Sequence, residues 1–217
     1  MRILIIAITV ALTTQFFSAC KSSTKPESLC DNPCLKDTLK FSGEHFLKPY
    51  VYISAKDCLA DSIIWSYEGM GVNRKTGISY LLGASVKLNK NMVRCLIKDT
   101  AWAWVLFNDC STGRGFQLKL PYSKNQNFSL KSSGINNLDP KFSVEDHLVA
   151  NTDRGNIFVE DMVTGKKAMM TFGERLDIDY DAIHEFIDSV NVTPARIWVK
   201  VKLAGGWKEL EKSIRLE

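Results

Sequence analysis

The sequence predicts a mainly β protein built from antiparallel sheets. From about residue 36 onward, apolar residues recur with a period of two or in short unbroken runs. Gly, Asn, Asp and Pro bound these segments, as is typical of strands joined by tight turns. We therefore expect a sandwich-like arrangement of antiparallel sheets, with a small β-propeller as the alternative, and one short helix near residues 180–190.

Two segments carry the strand pattern most clearly. In residues 197–203 the apolar side chains Ile197, Val199 and Val201 share one face, and the lysines share the other. Gly205-Gly206 follows, and a second polar-apolar segment then runs to about residue 216, which predicts a C-terminal hairpin. Residues 101–107 are apolar on both faces, which predicts a central strand covered on both sides.

One segment has helical spacing. Its apolar residues fall at positions i, i+3, i+4 and i+7: Ile183, Phe186, Ile187 and Val190. Asp179 or Asp181 is placed to cap the first turn, and Pro194 follows the segment. These features predict the short helix.

A recurring motif predicts turns between strands. Residues 109–113 and 161–165 both begin with Asp and end with Thr-Gly, and residues 73–77 are a looser version that begins with Asn. The Asp side chain can accept backbone N–H bonds, and Gly can adopt positive φ. We expect hairpin turns at these places.

The segment 138–173 has a family resemblance. It contains Leu138-Asp139-Pro140-Lys141-Phe142-Ser143, then His147-Leu148-Val149-Ala150, Asn156-Ile157-Phe158-Val159 and Thr164-Gly165-Lys166. This run resembles one blade of the Tol-associated β-propellers. The resemblance implies the alternative fold, although a closed propeller needs at least four blades and the chain offers about three such units.

The N-terminus has the layout of a signal peptide. Arg2 precedes a short apolar run, which Thr13, Thr14 and Gln15 interrupt before it is long enough to span a bilayer. Phe17-Ser18-Ala19-Cys20 then resembles the lipobox of bacterial lipoproteins. The resemblance implies cleavage before Cys20 and attachment of lipid to its thiol, which would hold the mature protein at a membrane.

These features divide the chain into three parts. Residues 1–19 are the expected signal peptide, residues 20–35 the lipidated cysteine and a polar, flexible tether, and residues 36–217 a single β-rich domain. Lys21 follows the anchor cysteine, where the family's sorting rules place aspartate in proteins kept at the inner membrane. We therefore expect an outer-membrane lipoprotein of a Gram-negative bacterium.

The net charge and the cysteine content indicate which partners and which disulfides to expect. The net charge is only +4 and the basic residues are dispersed, so a nucleic-acid partner is not expected. Five cysteines remain after the anchor cysteine, and four of them can form two disulfides in an oxidising envelope. Proximity in sequence favours Cys30 with Cys34 or Cys58, and Cys95 with Cys110, among the possible pairings.

The expected helix carries a candidate metal site. His184-Glu185-Phe186-Ile187-Asp188 resembles the zincin His-Glu-x-x-His motif, with Asp188 in place of the second histidine. In that family, ligands four residues apart on a helix face one metal ion. Asp181, His184 and Asp188 are accordingly candidate metal ligands of a metal-dependent hydrolase. The alternative is a solvated polar helix face that contributes no chemistry.

Tryptophans supply the other candidate site. Trp198 and Trp207 flank the C-terminal turn and share their strands with lysines and glutamates, so they are the tryptophans expected to be exposed. They could bind a protein, peptide or glycan, or simply pack across the hairpin. No catalytic residue and no cofactor is predicted. The sequence thus favours a non-catalytic binding or accessory module, with the hydrolase as the alternative.

Overall fold

The computed structural model describes residues 35–217. The expected signal peptide, the lipidation site Cys20 and the tether up to residue 34 lie outside the described residues. Within residues 35–217, fifteen strands form three sheets, and short helical turns connect some of them.

The first sheet is a four-stranded antiparallel meander in the order β1-β2-β3-β4. Its strands are β1 (Leu39–Ser42), β2 (Tyr50–Lys56), β3 (Leu59–Ser66) and β4 (Arg74–Gly77). The helix α1 (Ile78–Leu82) follows, and the 3-10 turn Lys90–Met92 leads into the next sheet.

The large sheet has seven strands in the order β12-β11-β10-β8-β7-β6-β5. Four of them form what we call the first arm: β5 (Val93–Lys98), β6 (Trp102–Asn108), β7 (Gly115–Pro121) and β8 (Ser129–Ile135). Three form the second arm: β10 (Leu148–Asp153), β11 (Asn156–Asp161) and β12 (Lys167–Thr171). All neighbours in this sheet are antiparallel.

The third sheet has the order β15-β14-β13-β9. Its strands are β9 (Phe142–Val144), β13 (Ile187–Thr193), β14 (Arg196–Leu203) and β15 (Gly206–Ser213). The strand β9 pairs with β13 in parallel, whereas the other neighbours are antiparallel. A 3-10 helix, Tyr180–Glu185, precedes β13.

Both four-stranded sheets pack on one face of the large sheet. The core of the first arm joins Val105 and Leu118 to residues of the first sheet such as Ile63. The core of the second arm joins Ile157 to residues of the third sheet such as Val199. Burial of these apolar faces is the main favourable term in the stability of such layers.

The opposite face of the large sheet, which we call the open face, is bent. Trp104 and Leu106 of β6 pack with Val149 of β10, although β7 and β8 lie between those strands. The two arms are joined by a short ladder, in which only two residue pairs connect β8 to β10. The arms therefore fold toward each other and leave a cleft along the open face.

The structure confirms the predicted class: a mainly β, sandwich-like arrangement of antiparallel sheets. The C-terminal hairpin forms as β14 and β15, and β6 lies inside the large sheet with side chains in a core on each face. The Asp-to-Gly motifs 109–113 and 161–165 form turns that lead into β7 and β12. No helix among residues 35–217 is long and apolar enough to cross a membrane.

Two predictions of local structure are wrong: the length of the helix near residue 180 and the turn at residues 73–77. The helical turn near residue 180 ends at Glu185, and Ile187–Thr193 is a strand rather than the continuation of a helix. Residues 74–77 form the strand β4 and not a turn, with Gly77 at φ −78°. In the blade-like segment 138–173, β10 to β12 are antiparallel neighbours, whereas β9 belongs to the third sheet.

The predicted Cys95–Cys110 disulfide is wrong. Cys95 is a free thiol on β5, and Cys58 and Cys110 are both disulfide-bonded. Cys95 lies opposite Val105, whereas Cys110 lies beyond the end of β6, so the hairpin register separates them. Burial raises the pKa of the Cys95 thiol to about 12, which keeps it protonated at neutral pH. Cys30 and Cys34 lie outside the described residues.

Candidate binding cleft

The cleft contains two small cavities on the open face. One, of about 280 Å³, is lined by Trp102, Lys119 and residues of the β7–β8 loop. The other, of about 220 Å³, is lined by residues of both arms, including Trp104, Lys131 and Asn151. Ser129 lines both cavities, so they are neighbours along the first arm.

Two tryptophans of β6 give the cleft its aromatic lining. Trp102 and Trp104 are two residues apart, so both side chains project from the open face. The Nε1 of Trp102 donates a hydrogen bond to the carbonyl of Met162, at 3.0 Å. Trp104 is only 5% exposed, and its buried Nε1 has no hydrogen-bond partner among the described residues. Buried indole N–H groups usually have an acceptor, so this donor requires an explanation.

A lysine lies over both indole rings and connects the two arms. Lys119 pairs with Trp104 in the β6–β7 register. Its Nζ lies 5.0 Å from the ring centroid of Trp102 and 5.1 Å from that of Trp104, within the range of cation–π attraction. The same Nζ lies 2.7 Å from Oε1 of Glu160 on β11. Lys167 also pairs with Glu160, at 3.5 Å.

The remaining polar groups of the cleft include both donors and acceptors, and Asp153 lines the second cavity together with Glu160. Gln117 uses its Nε2 to donate to the carbonyl of Ala150 and so bridges the arms. Lys131 is exposed and has no ion-pair partner among residues 35–217. Phe158 and Met169, which pair across β11 and β12, add partly exposed apolar surface on the same face. The cleft thus combines aromatic surface with unpaired donors, which suits a ligand rich in acceptor oxygens.

The structure does not gather the predicted metal ligands. His184 Nε2 lies 2.8 Å from Oδ2 of the buried Asp139. Asp181 pairs with Arg114 at 3.4 Å. Asp188 is on β13, where a hydrogen bond to Lys200 holds the pKa of its carboxyl below the usual value. No cluster of three or more metal-ligating side chains occurs among residues 35–217.

The predicted tryptophan pair lies on the outer face of the third sheet, away from the cleft. Trp198 and Trp207 both project from the side opposite the core residue Val199. Trp198 pairs with Glu211 and Trp207 with Lys202, so the two rings are separated along the hairpin. Trp207 is 45% exposed, and Trp198 is half-buried.

The cleft residues were not predicted as a site. The two-residue spacing of Trp102 and Trp104 was a usable signal, because it puts both rings on one strand face. Their partners Glu160 and Lys167, however, come from the second arm, and only the bend of the sheet brings them close. No protein-family model matches the chain, and no curated protein shows significant sequence similarity to it.

Proposed function

We propose that the protein is a lipid-anchored lipoprotein of the bacterial envelope whose β domain is a non-catalytic binding module. The lipobox-like sequence at Cys20 supports the anchor. The observation that carries the binding role is the cleft, where a buried indole N–H with no partner among residues 35–217 lies beside aromatic and charged side chains. Such a combination is typical of ligand sites.

The disulfides support export. Cys58 and Cys110 are both disulfide-bonded, and structural disulfides are found mainly in proteins of oxidising compartments. A lipid anchor with two or three acyl chains binds durably, since each buried methylene contributes about 0.8 kcal/mol. The binding module would therefore act close to a membrane surface.

Mass spectrometry of the mature N-terminus tests the anchor. Protein purified from native membranes should start at Cys20 and carry acyl chains on that residue. A Cys20→Ser variant is the control, and it should carry no acyl chain. An unmodified Cys20 thiol or an intact Met1 would contradict the anchored location.

Hydrogen exchange tests the binding role. The full-length protein in detergent is compared with and without solubilised envelope material from the same cells. We expect slower exchange in β6, β7 and β11, because these strands line the cleft. Protection of β14 and β15 instead would indicate that the ligand binds at the surface of Trp198 and Trp207. No protection in any strand would contradict a binding function.

A further inference from the structure

We propose that the cleft binds an acidic glycan, in which a sugar ring carrying a carboxylate occupies each of the two cavities. The proposal rests on the binding role proposed above and names the ligand class for that same site. Aromatic surface, unpaired donors and positive charge each point to this class.

The aromatic side chains of the cleft indicate that the ligand contains a sugar ring. Trp102 lines one cavity and Trp104 the other, so each cavity has its own indole. Trp102 is half-buried and can pack its apolar ring face against a sugar, although its N–H already donates to Met162. Trp104 is only 5% exposed, and its contribution is the N–H donor that has no partner among the described residues. The cavities, of about 280 and 220 Å³, lie just below the range of about 300–1,000 Å³ for drug-sized ligands. Each therefore suits a single ring.

The unpaired hydrogen-bond donors indicate that the ligand carries acceptor oxygen atoms. The Nε1–H of Trp104 needs an acceptor, and a hydroxyl or ring oxygen of a sugar can provide one. The Nε1 atom has no solvent-exposed surface, so a ligand reaches it only when a neighbouring side chain moves. Lys119 lies over the faces of both rings, so its flexible side chain is one of the neighbouring groups that can move.

Charge accounts for the carboxylate. Glu160 is already shared between Lys119 and Lys167, and Lys131 forms no ion pair among the described residues. Asp153 also lines the second cavity, so the two cavities together have three lysines (Lys119, Lys131 and Lys167) against two carboxylates. A ligand carboxylate can pair with Lys131, and a second carboxylate can compete with Glu160 for Lys119. A neutral sugar satisfies the indole donor but leaves Lys131 unpaired, so the cleft should prefer an acidic ligand.

Calorimetric titration of the full-length protein tests the proposal. The probes are digalacturonate, which has two rings with one carboxylate each, and cellobiose, a neutral disaccharide. We expect digalacturonate to bind at least tenfold more tightly than cellobiose. Lys131→Met should weaken its binding about tenfold, because one charge-assisted contact is lost. Trp104→Phe should weaken it by a similar factor, because the ring remains and the N–H donor is lost.

Two control variants test whether the loss of any exposed lysine or tryptophan weakens the binding of digalacturonate. Lys202→Met removes an exposed lysine from the third sheet, and Trp207→Phe alters an exposed tryptophan of the same sheet. Both should bind digalacturonate like the native protein. Equal affinity for the two probes, no measurable binding of digalacturonate, or unchanged binding by Lys131→Met would overturn the proposal. Protection of the cleft by envelope material in hydrogen exchange would then still support a binding module for a different ligand.

Discussion

At the scale of single residues, Trp104 and Trp65 form an informative pair. Both are buried, but Trp65 donates a 2.9 Å hydrogen bond to the carbonyl of Pro121, whereas the Nε1 of Trp104 has no partner among the described residues. Leaving a buried donor unpaired costs about 1–3 kcal/mol, and removing that donor recovers the cost.

This difference predicts unequal effects of the same substitution. Trp65→Phe should lower the free energy of unfolding by about 1 kcal/mol more than Trp104→Phe, because only Trp65 loses a hydrogen bond. Urea denaturation of the two variants measures the difference. An equal or larger loss for Trp104→Phe would indicate that its N–H is satisfied in the folded protein.

Asp161 predicts a pH dependence. Burial favours a raised pKa for this carboxyl, but hydrogen bonds from the backbone N–H groups of Thr164 and Val163, with the nearby charge of His147, hold the pKa below its ordinary value. A lowered pKa stabilises the fold above the ordinary value of 3.8, and this contribution is lost as the pH falls through the folded-state pKa.

The variant Asp161→Asn tests this pH dependence, because it keeps a side-chain acceptor and removes the charge. It should be less stable than the native protein by about 1 kcal/mol at pH 7, and the difference should shrink below about pH 4. Thermal unfolding across pH 3–7 measures it. A difference that stays constant down to pH 3 would show that the charge of Asp161 is not involved.

Residue-level features with a local cause were predictable from the sequence. The turns at Asp109 and Asp161 need only the side-chain acceptor and a following glycine at positive φ, and Gly113 and Gly165 have φ values of 80° and 74°. The unpaired N–H of Trp104 was not predictable, because it depends on which distant side chains enclose the ring.

Among the elements of the large sheet, β7 and β8 approach each other most closely at two facing glycines. Gly115 of β7 lies opposite Gly134 of β8, next to a bulge in that ladder. A Cβ on Gly115 would overlap the carbonyl oxygen of Gly134. The two backbones are thus packed too closely for any side chain at this position.

Gly115→Ala should therefore destabilise the protein by more than about 3 kcal/mol, because backbone must move to admit the methyl group. Gly77→Ala is the matched control. Gly77 has φ −78°, and a Cβ there would meet its nearest atom at 3.7 Å, which is an ordinary contact. Chemical denaturation should show a small effect at residue 77. A similarly small effect at residue 115 would contradict the close approach of β7 and β8.

The same kind of irregularity explains the helix that was wrongly extended. The register of β13 shifts between Ile187 and Ser189, so Ile187 and Val190 both face the core although they are three residues apart. A strand with a bulge thereby reproduces the i, i+3 spacing of an amphipathic helix. Strands without a bulge, such as β14, kept their period of two and were predicted correctly.

At the scale of the whole molecule, the cleft exists because two sandwich-like packings share one sheet. The first and third sheets cover the same face of the large sheet, one on each arm. The open face is bent, so that Trp104 packs with Val149. The Lys119–Glu160 ion pair connects the two arms across this face. The sequence predicted the layers from local periodicity. It could not predict the cleft, because residues about 40 positions apart form it, as the separation of Lys119 and Glu160 shows.

We expect the N–H of Trp104 to find its acceptor in a bound ligand. The ¹H–¹⁵N NMR signals of the five tryptophan indoles report this directly, with the Trp104→Phe variant identifying the Trp104 signal. Addition of digalacturonate should shift the Trp104 indole signal downfield and leave those of Trp198 and Trp207 unchanged. A Trp104 signal that stays in place at saturating digalacturonate, or a shift confined to Trp198 and Trp207, would show that the Trp104 N–H does not bind this ligand.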